Sequence, residues 1–451
     1  MKIAAIIVTL LCCCLMFLVK RETKAALLVM GAMTLTLVSV PVIPLHKANI
    51  LLQVAFLLSE WHYLPIHFKR LRRTPNLMTL LLIISTSALI VILTSPYVKV
   101  ISFLQTELLF KYFALAYAFW AVKDEKSLKP VLRISIFCLI VLTILGVMNY
   151  MTKHSVFVNA LTEGKTSLVN EDIALGDVYA EKVRFRVQSM FKSAFDYGYI
   201  CAAILLLHLY ALHRGLEKRK SFLLALGCCL FGIVTCECRI VWLCSILSVC
   251  GFYLWCFPLR KTVLVGILAV STIIIMYSTI DIVEEKVDKV IDVFKENPDT
   301  KGSSIELRMR QLAITIFYID GHELFGLGQG YWIEGKFNGT VNVEGLLGLE
   351  SVIFHHLLER GIVGFVLWFF FYAWLFCVFW RNRKKKVFLT GLGVSVLIVY
   401  CLFSIGTGEL SSVYSTMLLS GMVLKVIEYN KTVKKNRIKN ENTYYYHQLS
   451  K

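Results

Sequence analysis

The sequence predicts an all-α polytopic integral membrane protein with about 12–13 transmembrane helices and one large helical periplasmic loop. Three observations predict it. Of 451 residues, 57% are hydrophobic and only 17% are charged, too few charges to cover a soluble domain of this size. The apolar residues come in charge-free blocks of roughly 17–25, each long enough to cross about 30 Å of hydrocarbon as a helix. The basic residues cluster in alternate connections between these blocks. Backbone polar groups in lipid are satisfied only in helices or closed barrels, and the blocks lack the period-two alternation of barrel strands.

In order, the blocks lie at 3–19, 25–43, 48–66, 77–95, 103–122, 131–150, 195–212, 221–237, 240–257, 262–280, 352–380, 387–405 and 410–426, and form a single transmembrane domain over 1–430. The first could pass for a signal peptide. It lacks a small-x-small cleavage site, and the next block follows almost at once, so it is read as a span. Basic connections fall at 20–24, 69–73, 123–129, 213–220, 259–261 and 381–386, and the chain after Lys425 is basic too. One parity rule puts all of them in the cytoplasm.

Two polar segments then face outside: a first periplasmic loop at 151–194 and the large periplasmic loop at 281–351. In the latter, Val283, Val287, Val290, Ile291 and Phe294 recur at helical spacing, the pattern of an interfacial helix. Ser303 and Glu306 have capping-box spacing for a second helix, on which Arg308, Gln311, Thr315 and Tyr318 form a polar stripe. Residues 431–451 read as a disordered cytoplasmic tail.

Several function classes drop out. The net charge of +18 is spread over short inter-span clusters, which points to topology and anionic membrane lipids, not nucleic acid. The 14 cysteines lie almost wholly inside apolar blocks, with no CxxC pair, so neither a zinc site nor a disulfide framework is expected. The turn GLGQG at 326–330 imitates a dinucleotide fingerprint, but no strand precedes it. Glu60, His62 and His67 near a cytoplasmic helix end are a weak metal signal. Glu107 and Glu409, beside apolar stretches, read equally as proton relays or as interfacial residues.

What remains is a set of arginines on the outer side. An arginine at the hydrocarbon boundary costs several kcal/mol unless it is paired or solvated. Arg239, tightly flanked by apolar segments, either snorkels or pairs with Glu237, or it joins Arg186 and Arg308 around an anionic substrate. Guanidinium forks suit phosphate oxygens and keep their charge. Arg310 lies close to Arg308 and is a further candidate.

In their order these motifs resemble the O-antigen ligase and O-antigen (capsular polysaccharide) polymerase superfamily of bacterial membrane glycosyltransferases. Arg186, Phe191 and Gly198 fit the family's first motif, and Thr235 with Arg239 fits its Thr-x-x-x-Arg turn. Arg308 followed by Gly326 and Gly328 fits the arginine before a Gly-x-Gly turn, and Glu359, Gly361 and Gly364 fit its E-x-G-x-x-G entry into a span. Where ligases place a histidine before that glutamate, this chain has Glu350, and Ala194-Phe195 replaces the family's Pro-Asn; both differences suit the polymerase branch.

The resemblance implies a cofactor-free, metal-independent transfer of glycan from an undecaprenyl-pyrophosphate-linked oligosaccharide to a sugar hydroxyl, at the periplasmic face of the bacterial inner membrane. It implies pyrophosphate binding by Arg186, Arg239, Arg308 and Arg310. Glu350, His355 or His356 would take the acceptor proton, with Glu350 favoured on spacing. Besides membrane lipids, a chain-length regulator or flippase of the same pathway is an expected partner. The close alternative is a ligase joining finished polymer to lipid A-core or to protein. The alternative of another class is a lipid-linked oligosaccharide flippase or secondary transporter.

Overall fold

The computed structural model describes residues 2–36, 38, 47–72, 74–95, 104–162, 186–264, 266–267, 271, 305–333, 349, 351–408 and 412–429. Among these residues every regular element is a helix and there is no strand. Among the described residues six helices are long and apolar enough to cross a membrane, and shorter apolar helices accompany them. The chain is a multi-pass membrane protein. The amphipathic segment at 283–297, the capping serine at 303, Glu107's side chain, Glu409 and the tail at 431–451 lie outside the described residues.

The first helix, α1, is Lys2–Leu18. The expected span at 25–43 is built from α2, Arg21–Ala26, a π-helical turn at Leu27–Gly31 and a last turn at Ala32–Thr34. The expected span at 48–66 is divided. Helix α3, Ala48–Ser59, ends at Glu60, and after a 3-10 turn a separate helix α4, Leu64–Arg72, begins. The break has a clear cause. Glu60 is 2% exposed and accepts from Lys24 Nζ at 3.0 Å, with His67 Nε2 at 3.4 Å and Arg21 Nε at 3.9 Å. A buried carboxylate so heavily engaged holds the chain at that level. Beyond it Trp61, Tyr63 and Phe68 are exposed and Lys69, Arg70 and Arg72 follow, the composition of a helix lying in the interface. Because Lys24 and Arg21 share Glu60 with His67, the metal reading of this cluster has no support, and His62 stays outside the ionic contacts of that carboxylate.

Pro75 opens α5, Pro75–Thr94, where its missing N–H costs nothing. A π-helix at Leu104–Tyr112 runs into α6, Ala114–Ala121. A reciprocal cap between Asp124 and Ser127 then closes a 3-10 turn at Glu125–Ser127, which leads into α7, Leu128–Thr152. The short α8, Val156–Thr162, begins the first polar loop. The central helices are α9 (Ala194–His213), α10 (Arg219–Thr235) and α11 (Arg239–Cys256). Helix α9 is buried along nearly its whole length. Of the large loop, α12 (Ile305–Tyr318) is described. Of its polar stripe, Gln311 and Thr315 are buried and Arg308 and Tyr318 half-buried, and Thr315 Oγ1 donates to the Gln311 carbonyl. Finally come α13 (Val352–Asn382), α14 (Val387–Gly406) and α15 at 412–429.

The basic connections gather at one end of the bundle. Arg21 donates to the Trp120 carbonyl. Glu125 accepts from Arg214 Nε at 2.6 Å and from Tyr210 at 2.7 Å, with Lys386 at 3.8 Å. Buried His208 bridges Ser135 at 2.8 Å and Glu217 at 2.7 Å. Connections 20–24, 123–129, 213–220 and 381–386 are thereby tied to one another directly or through shared helices. The arginine motifs lie at the opposite end.

Candidate functional site

The site is assembled around the last turn of α14. Its first piece is the strand-like approach to α9, where the Val187 amide donates to the Thr235 carbonyl at 3.1 Å. That single bond sets Arg186 beside the turn between α10 and α11, close enough for its charge to act on Cys238, the residue before Arg239. Arg186 also lies over the Phe195 ring at 5.6 Å, and Phe195 packs on Phe403 of α14. Gly198 makes the approach possible: a Cβ there would stand 2.7 Å from Cys236 Sγ and from Val241. Phe191 stacks on Tyr197 below the same turn.

Arg239 is the first residue of α11, and its neighbour Ile240 packs directly on Gly406, leaving no room for a side chain there. Arg308 reaches the same point from the large loop. Its Nη2 donates to the Gly406 carbonyl at 3.0 Å. The segments bearing Arg186, Arg239 and Arg308 therefore converge on the α14 terminus, at one end of the bundle. Arg310 does not join them; two residues along the helix from Arg308, it is exposed.

The second piece is a clasp between the GLGQG turn and α13. Inside α13, Gly361 leaves helical geometry at φ 61°, ψ −164°, so the helix is two pieces meeting at a sharp corner. The turn closes over that corner. Leu327 and Gly328 amides donate to Leu358 and Glu359 carbonyls, and Ile362 and Val363 amides donate back to Glu323 and Leu324. Gly326, at φ 69°, and Gly361 interlock: a Cβ on either would lie 2.5–2.6 Å from the other's strand of backbone. Gln329 Nε2 donates to Glu359 at 2.6 Å, its Oε1 accepts from Arg360 Nε at 2.8 Å, and its carbonyl accepts from Ser95 at the end of α5. The Gly330 amide adds a second donor to Glu359 at 3.1 Å. At the start of the turn the backbone amides of Glu323 itself and of Gly321 hold the Glu323 carboxyl below its usual range.

The proton-accepting candidates fall differently. Glu350 lies outside the described residues. The Leu349 carbonyl, next to it, and His355 Nε2 both face Gly408, two residues past the carbonyl that Arg308 binds. His355 meets Trp332 edge-on at 5.1 Å. His356, turned about 100° around the helix, points away and lies 5.6 Å from Trp368 in the span, 4% exposed. Two neighbours in sequence thus serve two environments.

Gln329 and Arg360 are the residues that motif spacing passed over. Arg360 offered one sign, a charge inside the E-x-G-x-x-G entry to a span; Gln329 offered none. Among the described residues no group of three or more His, Cys, Asp or Glu side chains is placed to hold a metal.

No curated protein matches the chain. Residues 222–369, which include Arg239, Arg308, the GLGQG turn and the Glu359–Gly364 corner, match the family model described as O-antigen ligase, so that about a third of the chain is similar to that family.

Proposed function

We propose that the protein polymerises lipid-linked oligosaccharide repeats at the outer face of the bacterial inner membrane. The observation that supports this best is the meeting of the Arg186, Arg239 and Arg308 segments at Gly406. In the reaction the acceptor sugar's hydroxyl oxygen bonds to the donor's anomeric carbon. The bond from that carbon to the phosphate oxygen breaks, and its electron pair leaves on the undecaprenyl diphosphate. Guanidinium groups placed beforehand stabilise the charge that develops there. The hydroxyl proton passes to a base at the junction of the large loop and α13, where Glu350 and His355 are the candidates. His356, set against Trp368 in the span, is assigned a structural part in this reading. The outward direction of this end rests on the clustering of basic connections at the other.

A ligase reading is favoured by the printed description of the matched family. Against it stands Glu350 at the position where ligases carry a histidine. A flippase or transporter would draw its polar residues to the midplane, whereas these gather at one end.

Arg239→Ala and Arg308→Ala cells, assayed for the sidedness of lipid-linked repeats, decide among these. A polymerase leaves single repeats outside; a ligase leaves long lipid-linked polymer outside; a flippase traps repeats within. Full-length surface polymer in both variants would remove the proposal.

A further inference from the structure

At the end of the bundle opposite the arginine motifs, the basic connections at 20–24 and 69–73 meet the last helix at Lys425. The floor of the meeting point is the end of α6. Trp120 stacks on His67 of α4 at 5.5 Å, and its carbonyl accepts from Arg21 of α2. Its neighbour Phe119, 2% exposed, lies under Lys425 of α15, whose Nζ stands 4.9 Å from the ring centre. Arg70 follows His67 by three residues, one turn further along α4. Cations from three distant segments are thereby close enough to repel one another. Arg21 and Arg70 both act on Lys425, and Arg70 acts on Arg21.

The carboxylates at hand do not balance them. Glu60 makes its shortest contact with Lys24, at 3.0 Å, and stands 3.9 Å from Arg21 Nε. Glu428 is the other carboxylate, and its charge reaches Lys425. Arg21, Lys24, Arg70 and Lys425 thus set four positive charges against two negative ones. Like charges gathered in this way are relieved by an anion lying between them. The surroundings indicate which anion. Trp61, Tyr63, Ile66 and Phe68 are all exposed, the surface of a helix lying among lipid headgroups. Ile66 stands four residues from exposed Arg70, on the same side of α4, so the anion has apolar surface beside it.

We propose that Arg21, Arg70 and Lys425 hold the phosphate of an anionic glycerophospholipid in the cytoplasmic leaflet. Guanidinium and ammonium groups donate to its oxygens, and its glycerol and acyl chains lie along the exposed apolar side chains of α4. The break at Glu60 acquires a use in this arrangement. By ending α3 there, the chain lays α4 along the interface and sets Arg70 at headgroup depth. The site lies at the other end of the bundle from the arginine motifs, so it does not depend on which transfer the protein performs.

The test uses the full chain in detergent, with dioleoyl phosphatidylglycerol and dioleoyl phosphatidylcholine offered in equal amounts and the bound lipid read by native mass spectrometry. Phosphatidylglycerol is expected to be retained over phosphatidylcholine. Arg70→Gln and Lys425→Gln should each weaken that retention about fivefold, equivalent to about 1 kcal/mol for one basic charge at an anionic surface. Arg70 is exposed, so its replacement leaves the fold intact should that of half-buried Lys425 not do so. The double variant Lys384→Gln, Lys385→Gln removes exposed charges of the same sign from the connection at 381–386 and should leave retention unchanged. Equal retention of the two lipids, undiminished phosphatidylglycerol in Arg70→Gln, or as large a loss in the Lys384 and Lys385 variant overturns the proposal. Tighter binding of inorganic phosphate or of polyglutamate also overturns it, since the site would then serve a soluble anion or an acidic protein segment.

Discussion

Replacing Gly361 by alanine tests whether the corner in α13 is what holds the large loop on the site. At φ 61°, ψ −164° only glycine is at ease, and another residue there costs about 1–3 kcal/mol. The added methyl would also sit 2.5 Å from the Leu324 carbonyl carbon and oxygen. These are backbone atoms that cannot swing aside, and such overpacking costs roughly another 1–3 kcal/mol. The clasp itself has four backbone hydrogen bonds, each worth about 0.5–1.5 kcal/mol net. Strain and clasp are therefore comparable, so the turn at 323–330 should lift off while the buried helices stay folded. Hydrogen exchange on the full chain in detergent should show faster exchange at the amides of Leu327, Gly328, Ile362 and Val363. Cellular polymer should fall, with little change in the main thermal transition. Gly321→Ala is the control, since Gly321 also has positive φ but a Cβ there meets open space. It should cost only about 1–2 kcal/mol locally and leave the clasp protected. Wild-type exchange and polymer in Gly361→Ala would refute the reasoning.

Gly364→Ala keeps helical geometry but puts a methyl where Arg360's stem lies, so activity should fall without extra exchange at Leu327 and Gly328; unchanged polymer length would argue that Arg360 is idle. Gln329→Ala removes one partner from each of Glu359 and Arg360, at about 1–3 kcal/mol, and should lower the melting temperature measurably. Gly198→Val sets a branched side chain against Cys236 and Val241, which should push the Arg239 turn away from Arg186 and abolish polymer at normal membrane levels, read by blotting and glycan gels. Arg308→Lys retains charge but loses the planar fork, and should leave well under about a tenth of the activity; near-normal output would point to a bare positive charge as sufficient.

Much of the architecture was legible in the sequence because lipid imposes long apolar blocks and alternating basic connections. Spans at 77–95, 131–150, 195–212 and 387–405 match helices to within a few residues. Arg186, Arg239 and Arg308 are conspicuous beside apolar sequence, but that their segments meet at Gly406 was not readable from it. The block at 48–66 was misjudged as one span because Glu60 finds its partners in Arg21, Lys24 and His67, which no local window contains. His355 and His356 looked equivalent for a related reason. Their surroundings differ, with Trp332 and Gly408 on one side of the helix and Trp368 on the other. The corner at Gly361 hid inside a continuous apolar pattern, because a glycine in a helix and a glycine at φ 61° read alike.

By itself the sequence determined that this chain lives in a membrane, which of its connections are basic, and which few charges stand out against hydrocarbon. Those follow from transfer energies, which depend on composition over about twenty residues. Only the tertiary structure decided that the arginine-bearing segments meet at Gly406, that two glycines interlock where the loop closes over the corner of α13, and that Gln329 ties Glu359 to Arg360. Such arrangements depend on contacts between residues up to hundreds of positions apart, where close packing admits one geometry and the chain's local preferences are silent.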